Sequence, residues 1–413
     1  MDKFIKDQLW DGLKYVPINL LKSYFIRRIP IEIQQFYKKG YLCGVCHPNN
    51  DYEQIKAANI GWVRIDIPFP YDTVGNLSTQ YLAFKERSKR FQKNCIKVMA
   101  ITPYPQEYIA YDADIRTISG ERRVREIARF MIQDLQGIVD GIQVTNEMGM
   151  PHFTLPLTID EASRFIGVQL EEMYELRGSI VIGYNSAMIQ ADLHRRMKPW
   201  YRYCDYVGMD IYIGCFGKMR GYLWEFEFIL RYLWAMTGKP VILQEFGYIS
   251  GGETKSPAEK RAVLMKYDVS DEADAGKQME RFMEKLPVRL KEYVKSSCSD
   301  ASMYHDFLFK GMCANHLYCE LPEKTKIPGY PHTPEGQAAF FRNLMKRIGR
   351  LEFVRGVFAY CYCDAEVCGY CGQTDCPVET RWGLVSVDGS PKPAYYAIQE
   401  AFGKLNVERE IGR

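Results

Sequence analysis

Gly141-Ile-Gln-Val-Thr-Asn-Glu147 and Pro240-Val-Ile-Leu-Gln-Glu-Phe-Gly247 are the two stretches whose reading decides the fold. Each is an apolar run, too short for a helix, that stops abruptly at a carboxylate. Runs of this kind form strands buried on both faces, as in a parallel sheet covered by helices. A carboxylate at the end of such a strand lies at the C-terminal mouth of an α/β barrel, where the loops are carried.

Outward from these two, further strand candidates begin near Tyr41, Gly61, Ile96, Ile180, Tyr206 and Gly356. All but one of the intervals hold a stretch of helical period. Asn50-Asp51 is placed to cap a helix running to Asn59, and Thr158-Ile-Asp-Glu161 one running through Tyr174. Eight strands alternating with helices predict an α/β chain folded as a (β/α)8 TIM barrel over residues 39–413. The seventh interval is far longer than the rest. The helix closing it should open at Thr333-Pro-Glu-Gly-Gln and run through Ile348. Residues 249–332 are therefore expected to form an insertion over the mouth, helical from Pro257 to Lys295 and looser around Cys298, Cys313, His316 and Cys319. Residues 1–38 read as an N-terminal helical extension, with Ile18, Leu20, Leu21, Tyr24, Phe25 and Ile29 among basic residues. Such a helix packs on the barrel's base or side, or lies on a membrane surface; packing is the reading adopted.

Composition narrows the function classes. The chain has 413 residues, 47% hydrophobic and 25% charged, with a net charge of +3. Its Lys and Arg are scattered among Asp and Glu, which excludes the basic stripe of a nucleic-acid binder. No run approaches the roughly 18 apolar residues of a membrane span. Met1-Asp-Lys-Phe-Ile-Lys lacks a secretory apolar core, and 13 Cys is an odd number. The expectation is a cytoplasmic protein with reduced thiols.

Two carboxylates on two strands of one barrel are the equipment for splitting a glycosidic bond, one acid protonating the leaving oxygen while the other attacks the sugar. A retaining pair stands about 5–5.5 Å apart and an inverting pair about 6.5–9.5 Å. Glu147 and Glu245 are the candidates. Asn146, beside Glu147, offers an amide for a sugar 2-hydroxyl. Asn185 (after strand five), His47 (after strand one), Thr102, Tyr104, Tyr362 and Asp364 are further candidates at the mouth. Trp382 is a candidate platform for a pyranose ring.

Asn-Glu closing strand four, with Glu-Phe-Gly closing strand seven, resembles the clan A glycoside hydrolases, over residues 40–400. The resemblance implies Glu147 as acid/base, Glu245 as nucleophile, Arg64 of Trp-Val-Arg-Ile-Asp beside the nucleophile, Tyr212 of Asp-Ile-Tyr hydrogen-bonded to it, and no cofactor. Two positions depart from the pattern: Met148 stands where many members carry Pro, and Tyr360-Cys-Tyr362 where strand eight usually ends in Trp. The implied activity is that of a retaining β-glycosidase acting on β-linked oligosaccharides or glycosides. A transglycosylase on the same site and a non-catalytic carbohydrate-binding barrel are the alternatives.

Residues 361–376 read Cys-Tyr-Cys-Asp-Ala-Glu-Val-Cys-Gly-Tyr-Cys-Gly-Gln-Thr-Asp-Cys. This spacing offers Cys363, Cys368, Cys371 and Cys376 as a structural zinc set, with Cys313, His316 and Cys319 as contributors from the insertion. Reduced thiols and disulfides are the other readings. A zinc-dependent hydrolase built on this loop is a third function class. His-Glu-x-x-His, P-loop and dinucleotide signatures are missing, so neither a catalytic metal nor a nucleotide is indicated.

Overall fold

The computed structural model describes residues 3–26, 33, 36, 40–216, 220–310, 313–321 and 325–411. Eight strands form one closed parallel barrel in sequence order. They are β1 (Leu42–Cys46), β2 (Trp62–Asp66), β3 (Lys97–Ile101), β4 (Gly141–Val144), β5 (Val181–Ala187), β6 (Tyr206–Ile211), β7 (Val241–Phe246) and β8 (Val354–Ala359). Nearly every strand residue is buried, because the inward face fills the barrel and the outward face meets helices. Leu42, Trp62, Met99, Val181, Tyr206, Ile242 and Phe358 fill the interior below the mouth, so the barrel is a packed core and not a pore.

The helix starts follow the capping chemistry of the sequence. Asp51 accepts from the Gln54 amide at 3.0 Å and starts the helix Tyr52–Ala57. Thr158 and Glu161 cap reciprocally the helix Ile159–Tyr174. Thr333 caps Pro334–Ile348, with proline in the first turn.

The helix Lys3–Phe25 packs against the outer helices Ala191–Met197 and Trp224–Thr237, on the barrel's side. Asp11 meets Arg195 there at 2.8 Å, and Arg231 lies over the Tyr24 ring. Any second helix before residue 39 lies outside the described residues, although Ile33 and Phe36 are buried. Among the described residues no helix is long and apolar enough to cross a membrane.

Between β7 and the helix Pro334–Ile348 the chain forms short helices, including Pro257–Met265, Val288–Ser297 and Cys313–Tyr318. Val288–Ser297 packs on the turn Pro151–Thr154 that follows β4. His152 Nδ1 lies 2.7 Å from Ser296 Oγ, and its ring meets Tyr293 edge-on. The segment after β7 thereby borders the loop that follows Glu147.

Candidate active site

Arg64 on β2 is the hub of the site and is 2% exposed. A buried guanidinium needs acceptors on several sides. Its Nε donates to Gln143 Oε1 on β4 at 2.9 Å, and its Nη2 to Asn146 Oδ1 at 2.5 Å. Its Nη1 donates to Glu245 Oε1 in a short, buried ion pair. The Tyr212 hydroxyl, just past β6, donates to the other oxygen of the same carboxylate. These two donors hold the two oxygens of the Glu245 carboxyl and fix its orientation.

Period-two alternation alone would send Gln244 inward and Glu245 outward. The pairing between β6 and β7 instead shifts register after Met209, so that Asp210 lies beside Glu245. Gly208 accommodates the inward Gln244: a Cβ there would lie 2.5 Å from Gln244 Cγ. The irregularity turns a second consecutive side chain toward the mouth.

Glu147 sits on a constrained turn. Thr145 (φ 58°) and Glu147 (φ 47°) both occupy the left-handed region, which costs each non-glycine residue about 1–3 kcal/mol and persists only where the surroundings enforce it. Here they do: the Thr145 amide donates to Thr102 Oγ1 at 2.9 Å, and the Glu147 amide to Asn185 Oδ1 at 2.9 Å. Asn185 Nδ2 reaches both Asn146 Oδ1 (2.7 Å) and Asp210 Oδ2 (2.6 Å). The carboxyls of Glu147 and Asp210 lie close enough to interact. Burial, then the charge of Glu245, pushes the Glu147 carboxyl up to about 8. The same two causes hold Asp210 well above the usual carboxylate range. One carboxylate of the pair is thus paired with a cation, while its partner is held as an acid near neutral pH.

The structure joins Glu147, Glu245, Asn146, Arg64, Tyr212 and Asn185 in one network. His47 is exposed at the end of β1, its ring 5.3 Å from that of Tyr360. Trp382 is 1% exposed and packs against Tyr212 and Tyr360 at 5.1 and 5.7 Å between ring centroids, forming the wall behind the nucleophile candidate. Tyr104 stacks on Phe153. Asp364 is tied to Lys392 at 2.9 Å and to the Gly383 amide at 2.7 Å.

Tyr362 is a correction. Its hydroxyl donates to Gln54 Oε1 at 2.6 Å, in the helix after β1, and so turns away from the carboxylates. Residues two apart share a face on a strand, but the chain has already left β8 at Ala359, and Tyr360 takes the inward place. Its ring lies 5.6 Å from Tyr212, and its hydroxyl donates to Glu379 Oε2 at 3.2 Å.

Sequence reasoning missed Gln143, Asp210, Tyr360 and Glu379. Gln143 and Asp210 carried a signal: each is a polar side chain inside a buried strand, and such groups call for partners. Glu379 carried none, since it lies in the four-residue helix Pro377–Thr380 just after the cysteine-rich stretch, where no local pattern aims it at the mouth. Burial, then the charge of Cys368, pushes its carboxyl up to about 8.

The Arg64–Glu245 pair yields a first expectation. Breaking a buried ion pair from one side costs about 3–5 kcal/mol, because the remaining charge is stranded. Arg64→Met should lower folding stability by that amount in denaturant titrations; a loss under about 1 kcal/mol would mean that the pair behaves like a solvated one.

The closed parallel barrel, with Glu147 just past β4 and Glu245 in β7, has a (β/α)8 fold shared with solved glycoside hydrolases. Solved structures with this fold include a family 39 glycoside hydrolase from Bacteroides cellulosilyticus WH2 (15% identity, 92% of this chain and 66% of that one, TM-score 0.52). Others are the β-D-glucuronidase of Dictyoglomus thermophilum (14% identity, 88% and 51%, TM-score 0.50) and a family 2 β-galacturonidase from Eisenbergiella tayi (13% identity, 88% and 51%, TM-score 0.50). The chain spans about half the length of the latter two. No protein-family model and no curated protein matches the chain.

Proposed function

We propose that the protein is a retaining β-glycosidase in which Glu147 is the acid/base and Glu245 the nucleophile. The observation that carries this reading is the asymmetry of the two carboxyls. Glu245 lies between Arg64 and Tyr212, which donate to its two oxygens and aim it. Glu147 carries its proton up to about pH 8, the state a general acid needs.

Glu245 attacks the anomeric carbon while Glu147 gives its proton to the departing oxygen. The bond to the aglycone breaks as the glycosyl ester forms. Water, deprotonated by Glu147, then releases the sugar with its configuration retained. Asn146 Oδ1 is occupied by Arg64, Gln143 and Asn185, which leaves its Nδ2 to hold a sugar hydroxyl. The long segment after β7 suits short glycosides held in a pocket.

A screen of nitrophenyl β-glycosides, with proton NMR of the first-formed anomer, tests the reading. Hydrolysis giving the β-anomer first is the expected result. Initial release of the α-anomer would show inversion and remove the nucleophile role from Glu245.

A further inference from the structure

A second site lies beside the mouth, where the loop after β8 meets the segment after β7. Cys368, Cys371 and Cys376 come from that loop, and His316 from the helix Cys313–Tyr318. All four are buried, and their ligand atoms lie within 4.8 Å of one another. Cys363 is not among them: its thiol donates to the Ser386 carbonyl at 3.2 Å. This corrects the zinc set expected from spacing, because Cys363 is bridged to Val385 and its thiol is engaged by the Ser386 carbonyl.

We infer that Cys368, Cys371, Cys376 and His316 form a closed structural zinc site that staples the two segments together. Tetrahedral zinc, with bonds of about 2.3 Å to sulfur and about 2.0–2.1 Å to nitrogen, sets its ligand atoms about 3.5 Å apart for a sulfur and a nitrogen. From His316 Nδ1 the separations are 3.6 Å to Cys368 Sγ and 3.9 Å to Cys376 Sγ, near that spacing before any metal draws the ligands in. The loop is folded for the purpose. Cys368-Gly-Tyr-Cys371 makes a tight turn in which the Cys371 amide donates to Cys368 Sγ at 3.4 Å, and the Gly372 amide closes on the Cys368 carbonyl at 2.9 Å. Gly372 takes φ 73°, a conformation costly for other residues. Tyr293 and Tyr370 pack around the imidazole and shield it.

Binding releases three thiol protons to solvent and leaves a complex of net charge −1 with a neutral imidazole. With four protein ligands no position stays open for water, so the ion holds structure and activates nothing. It joins two segments that are distant in sequence, and its binding energy adds to folding. Cys319, three residues after His316, is the competing fourth ligand, since its sulfur lies beside Cys371 and Cys376.

The test is metal content of the full chain purified under reducing conditions, with cobalt replacement as its spectroscopic arm. Wild type should carry close to one zinc per chain, released when a mercurial titrates the thiols. The cobalt form should show tetrahedral bands with thiolate charge transfer. Zinc should fall to background in Cys368→Ser/Cys371→Ser and in His316→Ala, and stay stoichiometric in Cys363→Ser. Wild type without zinc after growth in zinc-supplemented medium, and without charge transfer in cobalt, would overturn the site. Zinc retained by His316→Ala and lost by Cys319→Ser would overturn the histidine as ligand. Should the serine variants fail to fold, the wild-type release titration and cobalt spectrum still decide the question.

Discussion

Glu245→Ala should lose activity by about 10⁵-fold or more, the scale seen when a covalent nucleophile is removed. That loss corresponds to about 7 kcal/mol of transition-state stabilisation. Azide entering the space of the missing carboxylate should restore turnover and give the α-glycosyl azide, because attack comes once, from the nucleophile's side. Near-normal turnover in the alanine variant would remove Glu245 from the role. Unchanged circular dichroism separates this loss from misfolding, and because Arg64 loses its partner in the alanine variant, Glu245→Gln serves as the isosteric control.

The second large effect belongs to Glu147, and it depends on leaving group and pH. General acid–base catalysis is worth about 10²–10⁴-fold. Glu147→Ala should lose that much on a poor leaving group such as methanol. On a dinitrophenyl glycoside, which departs without a proton, formation of the glycosyl-enzyme should be nearly unimpaired. Azide should then rescue the second step and give the β-glycosyl azide, opposite in configuration to the product from Glu245→Ala. In wild type the protonated form is the active one, so kcat/KM should fall as pH rises through about 8. Because Glu147, Asp210 and Glu245 interact, that limb is an apparent value of the group. It should vanish in Glu147→Ala on the activated substrate. An alkaline limb unchanged by the substitution would assign the titration to another residue.

Much of this site was legible in the chain, for reasons that can be traced. Buried apolar runs such as Gly141–Val144 and Val241–Phe246 announced parallel strands, and a carboxylate at the end of such a run has few places to go. Thr158-x-x-Glu161 and Thr333-Pro334 marked helix starts because their side chains satisfy amides that the helix leaves unpaired. The register shift that turns Glu245 inward beside Gln244 was not legible, since it arises from pairing with β6. Tyr362 was misplaced for a similar reason: the end of β8 decides which tyrosine faces the mouth. Glu379 and the meeting of His316 with the cysteine loop depend on contacts between distant segments, which local pattern does not encode.

The most direct measurement is mass spectrometry of the chain after reaction with an activated β-glycoside carrying fluorine in place of the 2-hydroxyl, its glycone chosen by the nitrophenyl screen. Fluorine slows both steps, and the good leaving group lets the covalent ester accumulate. The expected result is one glycosyl group per chain, on Glu245 within the Pro240–Gly247 peptide. A label on any other residue, or turnover of the parent glycoside with inversion and no adduct, would contradict the assignment.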